Sequence, residues 1–193
     1  MVKNESFKIE RVKRTPRMFG MGARDADYGS ARVVFFPIAY EGTVSYGSGT
    51  ARGPRAMIDA SHYVEWYDEE TGTEITAGGG MHTLPIVRIS ARTKPEVMIE
   101  HVYTQCMTLL EDDKFIFGIG GEHSVSLGIM EAYRKKYRTL SILHLDAHAD
   151  LRESYGGSRY SHACVMRHMA FACPCVHVGI RSLSSIEARF VRE

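Results

Sequence analysis

Ile142-Leu143-His144-Leu145-Asp146-Ala147-His148-Ala149-Asp150 is the stretch on which the fold turns. An apolar run with the length and composition of a strand ends in three polar donors spaced two apart. In a strand, side chains i, i+2 and i+4 share one face, so the spacing predicts that Asp146, His148 and Asp150 converge. Open parallel sheets bind ligands at their carboxyl edge. Two carboxylates held together repel, and one takes up a proton unless a cation neutralises them; the pattern therefore points to a divalent metal. A D-x-H pair alone is equally well read as an Asp/His-rich loop that ends a strand. Asp150 and a second cluster upstream favour the metal.

That cluster is Gly118-Ile119-Gly120-Gly121-Glu122-His123-Ser124, after the apolar run Phe115-Ile116-Phe117 and before the helical pattern Val125, Leu127, Ile129, Met130, Tyr133. A strand, a tight glycine turn and a helix are predicted, with His123 at the same edge as Asp146. A phosphate-cradling loop is the rival. It is disfavoured, because no Lys follows the glycines and the spacing is not G-x-G-x-x-G.

G-G-E-H-S followed by D-A-H-A-D resembles the ureohydrolase family of arginases and agmatinases. Tyr46-Gly47-Ser48-Gly49-Thr50-Ala51-Arg52-Gly53-Pro54-Arg55-Ala56, Ser161-His162-Ala163 and Val178-Gly179-Ile180-Arg181-Ser182 fit the same pattern, and the Ser-His-Ala-Cys and Asp-Leu-Arg contexts are more similar to agmatinases. The resemblance implies a three-layer α/β/α fold with a mainly parallel sheet, arginase-like, and two Mn2+ ions. His123 and Asp150 would bind one ion, His148 the second, and Asp146 would bridge them; His162 would be the catalytic proton shuttle. The implied reaction is hydrolysis of a small-molecule guanidino substrate, agmatine to putrescine and urea, in a homo-oligomer, trimer or hexamer. Two divalent ions would generate the nucleophile from water, and His162 would protonate the leaving amine. The family's later D-x-D segment and guanidinium-binding Glu have no counterpart after Arg181. The chain is therefore expected to be C-terminally truncated and the fold incomplete at that end.

Other readings stay open. The substrate could be arginine, guanidinobutyrate, formiminoglutamate or aminopropylagmatine. A zinc deacetylase on a related sheet is disfavoured by the two motifs. A non-catalytic family member is favoured by the absent D-x-D. His144, on the strand face of Asp146, is expected to be a packed or hydrogen-bonded histidine, or at most a group behind the ligands. His62, His82, His101, His168 and His177 are read as structural. Glu122 is expected to support its loop, and Tyr155, Arg159 and Ser161 to line the entrance.

At 193 residues with 44% hydrophobic content the chain has length for one domain. The expected division is an N-terminal extension over 1–30, whose Lys3, Lys8, Arg11, Lys13, Arg14 and Arg17 read as a solvated run, and one α/β domain over 31–193. A formal net charge of +1 gives no nucleic-acid footprint. No apolar stretch approaches 18 residues and no signal-peptide core follows the start, so no membrane partner is indicated and a cytoplasmic location is expected. Cys106, Cys164, Cys173 and Cys175 lack a disulfide or zinc spacing and read as free thiols.

Strands are predicted at 33–36, closed by Pro37, and at 84–88, 114–118, 139–146 and 175–179. Gly78-Gly79-Gly80 is read as a turn, and Trp66 and Tyr67 as packing residues. Helices are predicted from Pro54 to Tyr63, from Lys94 after a Thr93 cap, over 124–137 and 161–171, and from Ser184, where Ser184-x-x-Glu187 matches a capping box. Met98, Val102, Cys106 and Leu109 recur at helical spacing.

Overall fold

Helices and strands alternate along the chain, and nearly all strand pairing is parallel. The computed structural model describes residues 16–192; the basic stretch from Lys3 to Arg14 lies outside the described residues. The elements are β1 (Ala31–Ala39), α1 (Gly53–Ala60), β2 (Tyr67–Asp68), β3 (Thr73–Glu74), β4 (Gly80–Thr83), β5 (Val87–Arg88), α2 (Pro95–Glu111), β6 (Phe115–Gly120), α3 (Ser126–Lys136), β7 (Ile142–Leu145), α4 (Val165–Ala170), β8 (Cys175–Val178) and α5 (Ser185–Phe190). They fall into two compact units: residues to 40, 49–90 and 108–121, and residues 41–48, 91–107 and from 122 onward.

In the first unit β1 pairs in parallel with β6 along one side and with β4 and then β5 along the other. Pro37 was expected to close this strand, yet β1 runs through it to Ala39. Opposite β4 and β5 the register passes from Phe35↔Thr83 to Ile38↔Val87, so Pro37 sits in the gap, where its missing N–H leaves no ladder bond unmade. Of the predicted strand over 84–88 only Val87–Arg88 pairs, as β5; Pro85 separates it from β4, which begins at Gly80 at the end of the glycine turn. Met18, Phe35, Ile58 and Ile119 form a buried core cluster of this unit. Met18 N–H donates to Thr83 Oγ1 at 2.9 Å. Tyr67, expected to pack, is exposed on the antiparallel β2–β3 pair.

In the second unit β7 and β8 pair in parallel, Ile142↔Cys175 through Leu145↔Val178. Leu127, Ala149, Leu151, Val165, Met166 and Met169 make its core. The periodic face of α2 is buried at Met98, Val102, Cys106 and Leu109. Gly128 lets α3 approach α2: a Cβ there would lie 2.6 Å from the Ile99 carbonyl oxygen and 2.7 Å from Val102 Cβ. The capping box forms as spelled, with Ser184 Oγ accepting from Glu187 N–H and Glu187 Oε2 accepting from Ser184 N–H at 2.7 Å. The opposite face of β7–β8 is bare: Leu143, Leu145, Val176 and Val178 are each at least half exposed. Among the described residues no helix is long and apolar enough to cross a membrane. All four cysteines are free thiols.

Candidate metal centre

β7 stops at Leu145, so the strand face does not extend through Asp150. Its alternation carries only His144 and Asp146 onto one side. The chain then turns, and Asp150 adopts a left-handed backbone, φ +51°, that few non-glycine residues hold and that Asp tolerates. Its carbonyl accepts the amides of Met166 and Arg167 at 3.0 and 3.2 Å, which fixes the turn against the start of α4. Gly179, at φ +89°, lets β8's exit pass the Asp146 carbonyl, which a Cβ would meet at 3.1 Å.

The outcome is a cluster of four side chains, His123, His144, Asp146 and Asp150, each offering one ligand atom within 4.8 Å of the others. His123 Nδ1 lies 2.6 Å from Asp150 Oδ2 and 3.9 Å from Asp146 Oδ2. Three of the four predicted ligands are thus brought together. The fourth, His148, stands beside them: its Nδ1 is 3.4 Å from Asp146 Oδ1, but its side chain is 65% exposed, and its backbone N–H donates to that same oxygen at 2.8 Å.

His144, read from sequence as a packed histidine, lies inside the cluster. It is buried, its ring stacks on that of His123 with centroids 5.5 Å apart, and its Nε2 lies 3.5 Å from Asp146 Oδ2. Burial, then the neighbouring His123, pushes its pKa below the ordinary 6.5, favouring the neutral ring. Burial works to raise the Asp146 carboxyl, but the His148 amide and the adjacent His123 and His144 outweigh it and hold the group below its usual 3.8. An ionised carboxylate among imidazoles is a donor set for a divalent cation.

His162 occupies a second network. Thr43 Oγ1 donates to Glu122 Oε1 at 2.8 Å and accepts from His162 N–H at 3.0 Å. The hydroxyl proton being committed to Glu122, His162 Nδ1, 3.2 Å away, is the donor to Thr43 Oγ1. That leaves Nε2 with its lone pair. Glu122 also accepts from Thr43 N–H at 2.8 Å and Ser124 Oγ at 2.6 Å, so it ties the 41–48 loop to the His123 turn. Tyr155 packs edge-on to His162, centroids 5.5 Å apart. Ser161 is buried against Cys164, while Arg159 is exposed beside Glu153. Thr43 is the site residue that sequence reading missed; its place in the Gly/Ser/Thr-rich loop carried no periodic or motif signal.

Comparison with known proteins places this arrangement. The Arginase family profile matches residues 31–193. The chain belongs to the arginase family. Among curated relatives it is 34% identical over 183 residues to an N(1)-aminopropylagmatine ureohydrolase of Synechocystis, covering 92% of this chain and 60% of that protein. It is also 34% identical over 172 residues to an agmatinase of Bacillus cereus, covering 84% and 57%. The crystal structure of the agmatine ureohydrolase of Thermoplasma volcanium superposes with a TM-score of 0.73 at 30% identity, covering 85% of this chain and 57% of that one. The arginase-family chain described here thus spans about 60% of the length of the relatives it matches. The mainly parallel α/β fold expected from the motifs is the fold of the family.

Proposed function

We propose that this chain carries the metal-binding half of a ureohydrolase site, and that the protein hydrolyses the guanidino group of agmatine to give urea and putrescine. The observation that carries the reading is the gathering of His123, Asp146 and Asp150 around one point in a chain of this family. Two carboxylates and an imidazole suit Mn2+; His123, Asp146 and Asp150 would hold one ion, and His148, beside Asp146, would help to hold a second. Divalent cations there would acidify a water and polarise the electrophilic carbon. Asp150, fixed in its turn by the α4 amides, keeps one ligand oxygen beside His123. His162, held as the Nδ1–H tautomer by Thr43, presents the Nε2 lone pair to take up a proton released from the attacking water and pass it on to the leaving amine. Assembly into a homo-oligomer and a cytoplasmic location belong to the same reading.

A second substrate has its own support: the aminopropyl derivative of agmatine, by the name of the Synechocystis relative. Urea release from Mn2+-loaded protein across agmatine, aminopropylagmatine, arginine, guanidinobutyrate and formiminoglutamate separates these. Turnover of agmatine, lost on His162→Asn with metal content intact, is the expected result. Stoichiometric Mn2+ without urea from any of the five refutes the hydrolase.

A further inference from the structure

We propose that His144 is a positioning residue of the metal centre: its Nε2–H holds Asp146 Oδ2, and His177 fixes the tautomer that permits this. The inference rests on the proposed metal role of Asp146. His144 and His177 are register partners on β7 and β8, so their side chains share one face of the pair. Their Nδ1 atoms lie 3.0 Å apart with rings perpendicular. A contact between two nitrogens needs one donor and one acceptor, and a neutral imidazole carries one N–H.

Two assignments exist. With its proton on Nδ1, His144 would aim the lone pair of Nε2 at Asp146 Oδ2, 3.5 Å away, setting acceptor against acceptor. With the His177 Nδ1–H donating, His144 Nδ1 accepts and Nε2–H faces the carboxylate. The second assignment turns each donor toward an acceptor and sets no lone pair against the carboxylate. It leaves His144 Nε2–H buried without a hydrogen-bond partner, 3.5 Å from that carboxylate. Such an atom is poised for a contact that tightens when Asp146 is drawn into place.

The consequence for Asp146 is symmetrical. Oδ1 is held by the His148 amide at 2.8 Å and Oδ2 faces His144 Nε2 at 3.5 Å, which leaves each oxygen a lone pair for metal binding. His144 thus acts through Asp146, and His177 through His144.

Two measurements test this. In the metal-free chain with 15N-labelled imidazoles, His144 is expected as the Nε2–H tautomer, and His177→Leu shifts it toward Nδ1–H; an Nδ1–H tautomer in the unaltered chain overturns the proposal. In Mn2+ titrations followed by the free-ion EPR signal, His144→Leu weakens binding roughly 10- to 100-fold. His144→Gln, whose amide nitrogen reaches the same place, restores most of it, and His177→Leu gives a smaller loss without disturbing the buried position. Pulsed EPR counts the same coupled imidazole nitrogens throughout. Unchanged affinity in both His144→Leu and His177→Leu refutes the role, as does a nitrogen lost with His144, which would make it a ligand. A chain that binds no Mn2+ yet shows the Nε2–H tautomer removes the metal reading and leaves the His177–His144–Asp146 chain standing.

Discussion

Replacing Glu122 by Ala tests whether the carboxylate beside His123 is the clasp of the 41–48 loop. The side chain is buried and accepts three hydrogen bonds, from Thr43 N–H, Thr43 Oγ1 and Ser124 Oγ, at 2.8, 2.8 and 2.6 Å. Ser124 is wholly buried, so its hydroxyl would lose its acceptor with no water to replace it; Thr43 is half-buried and water reaches it in part. Assigning about 2 kcal/mol to the Ser124 bond and about 1 to each Thr43 bond gives a loss of about 4 kcal/mol. For a chain of this size that is a fall in Tm of roughly 8–16 °C. Far-UV circular dichroism in guanidinium is the suitable assay, since the single tryptophan, Trp66, belongs to the first unit. Thr43→Val removes the hydroxyl but keeps the amide, so the double variant should fall short of additivity by about 1–2 kcal/mol. A loss below about 1 kcal/mol for Glu122→Ala, or strict additivity with Thr43→Val, would show that loop and turn are held by something else.

Glu187 should govern the acid limb of stability. Burial works to raise its pKa, but the Ser184 backbone and hydroxyl, the Leu151 amide and Arg152 outweigh burial and lower it below 4.5. A group with a lowered folded pKa contributes stability above its unfolded value and loses it as pH falls through the folded one. Glu187→Gln is therefore less stable at neutral pH and flatter below about pH 4.5, measured as Tm against pH; parallel curves would discount it. Gly128→Ala forces a methyl onto the Ile99 carbonyl and should cost about 1–3 kcal/mol by chemical denaturation, despite the better helix propensity of Ala. Asp146→Asn should abolish the rise in Tm that saturating Mn2+ gives the unaltered chain, read by calorimetry with and without chelator; an unaltered rise would remove Asp146 from the ligand set.

Where the determinants are local, sequence and structure agree residue by residue. The capping box at Ser184 and Glu187 forms because both partners lie within one turn, and α2 buries the very residues its period selects. Departures occur where a distant partner decides. Pro37 remains inside β1 because β4 hands over to β5 at that point, which no local rule reveals. At the site, strand alternation forward from Asp146 does not apply, because β7 ends at Leu145, and applied backward it leads to His144. Asp150 reaches the cluster by a left-handed turn rather than by strand geometry. Thr43 stands 119 residues from His162, a separation over which single-sequence patterns carry no information.

Four aliphatic side chains, Leu143, Leu145, Val176 and Val178, stand in water on one side of a two-stranded ribbon. Withdrawing even ~200 Å² of such surface from solvent yields about 5 kcal/mol, while a formal charge of +1 supplies almost no mutual repulsion between molecules. The ribbon is therefore expected to contribute to self-association of the isolated chain: light scattering should climb with concentration, respond weakly to salt, and fall when Leu145 is exchanged for Lys.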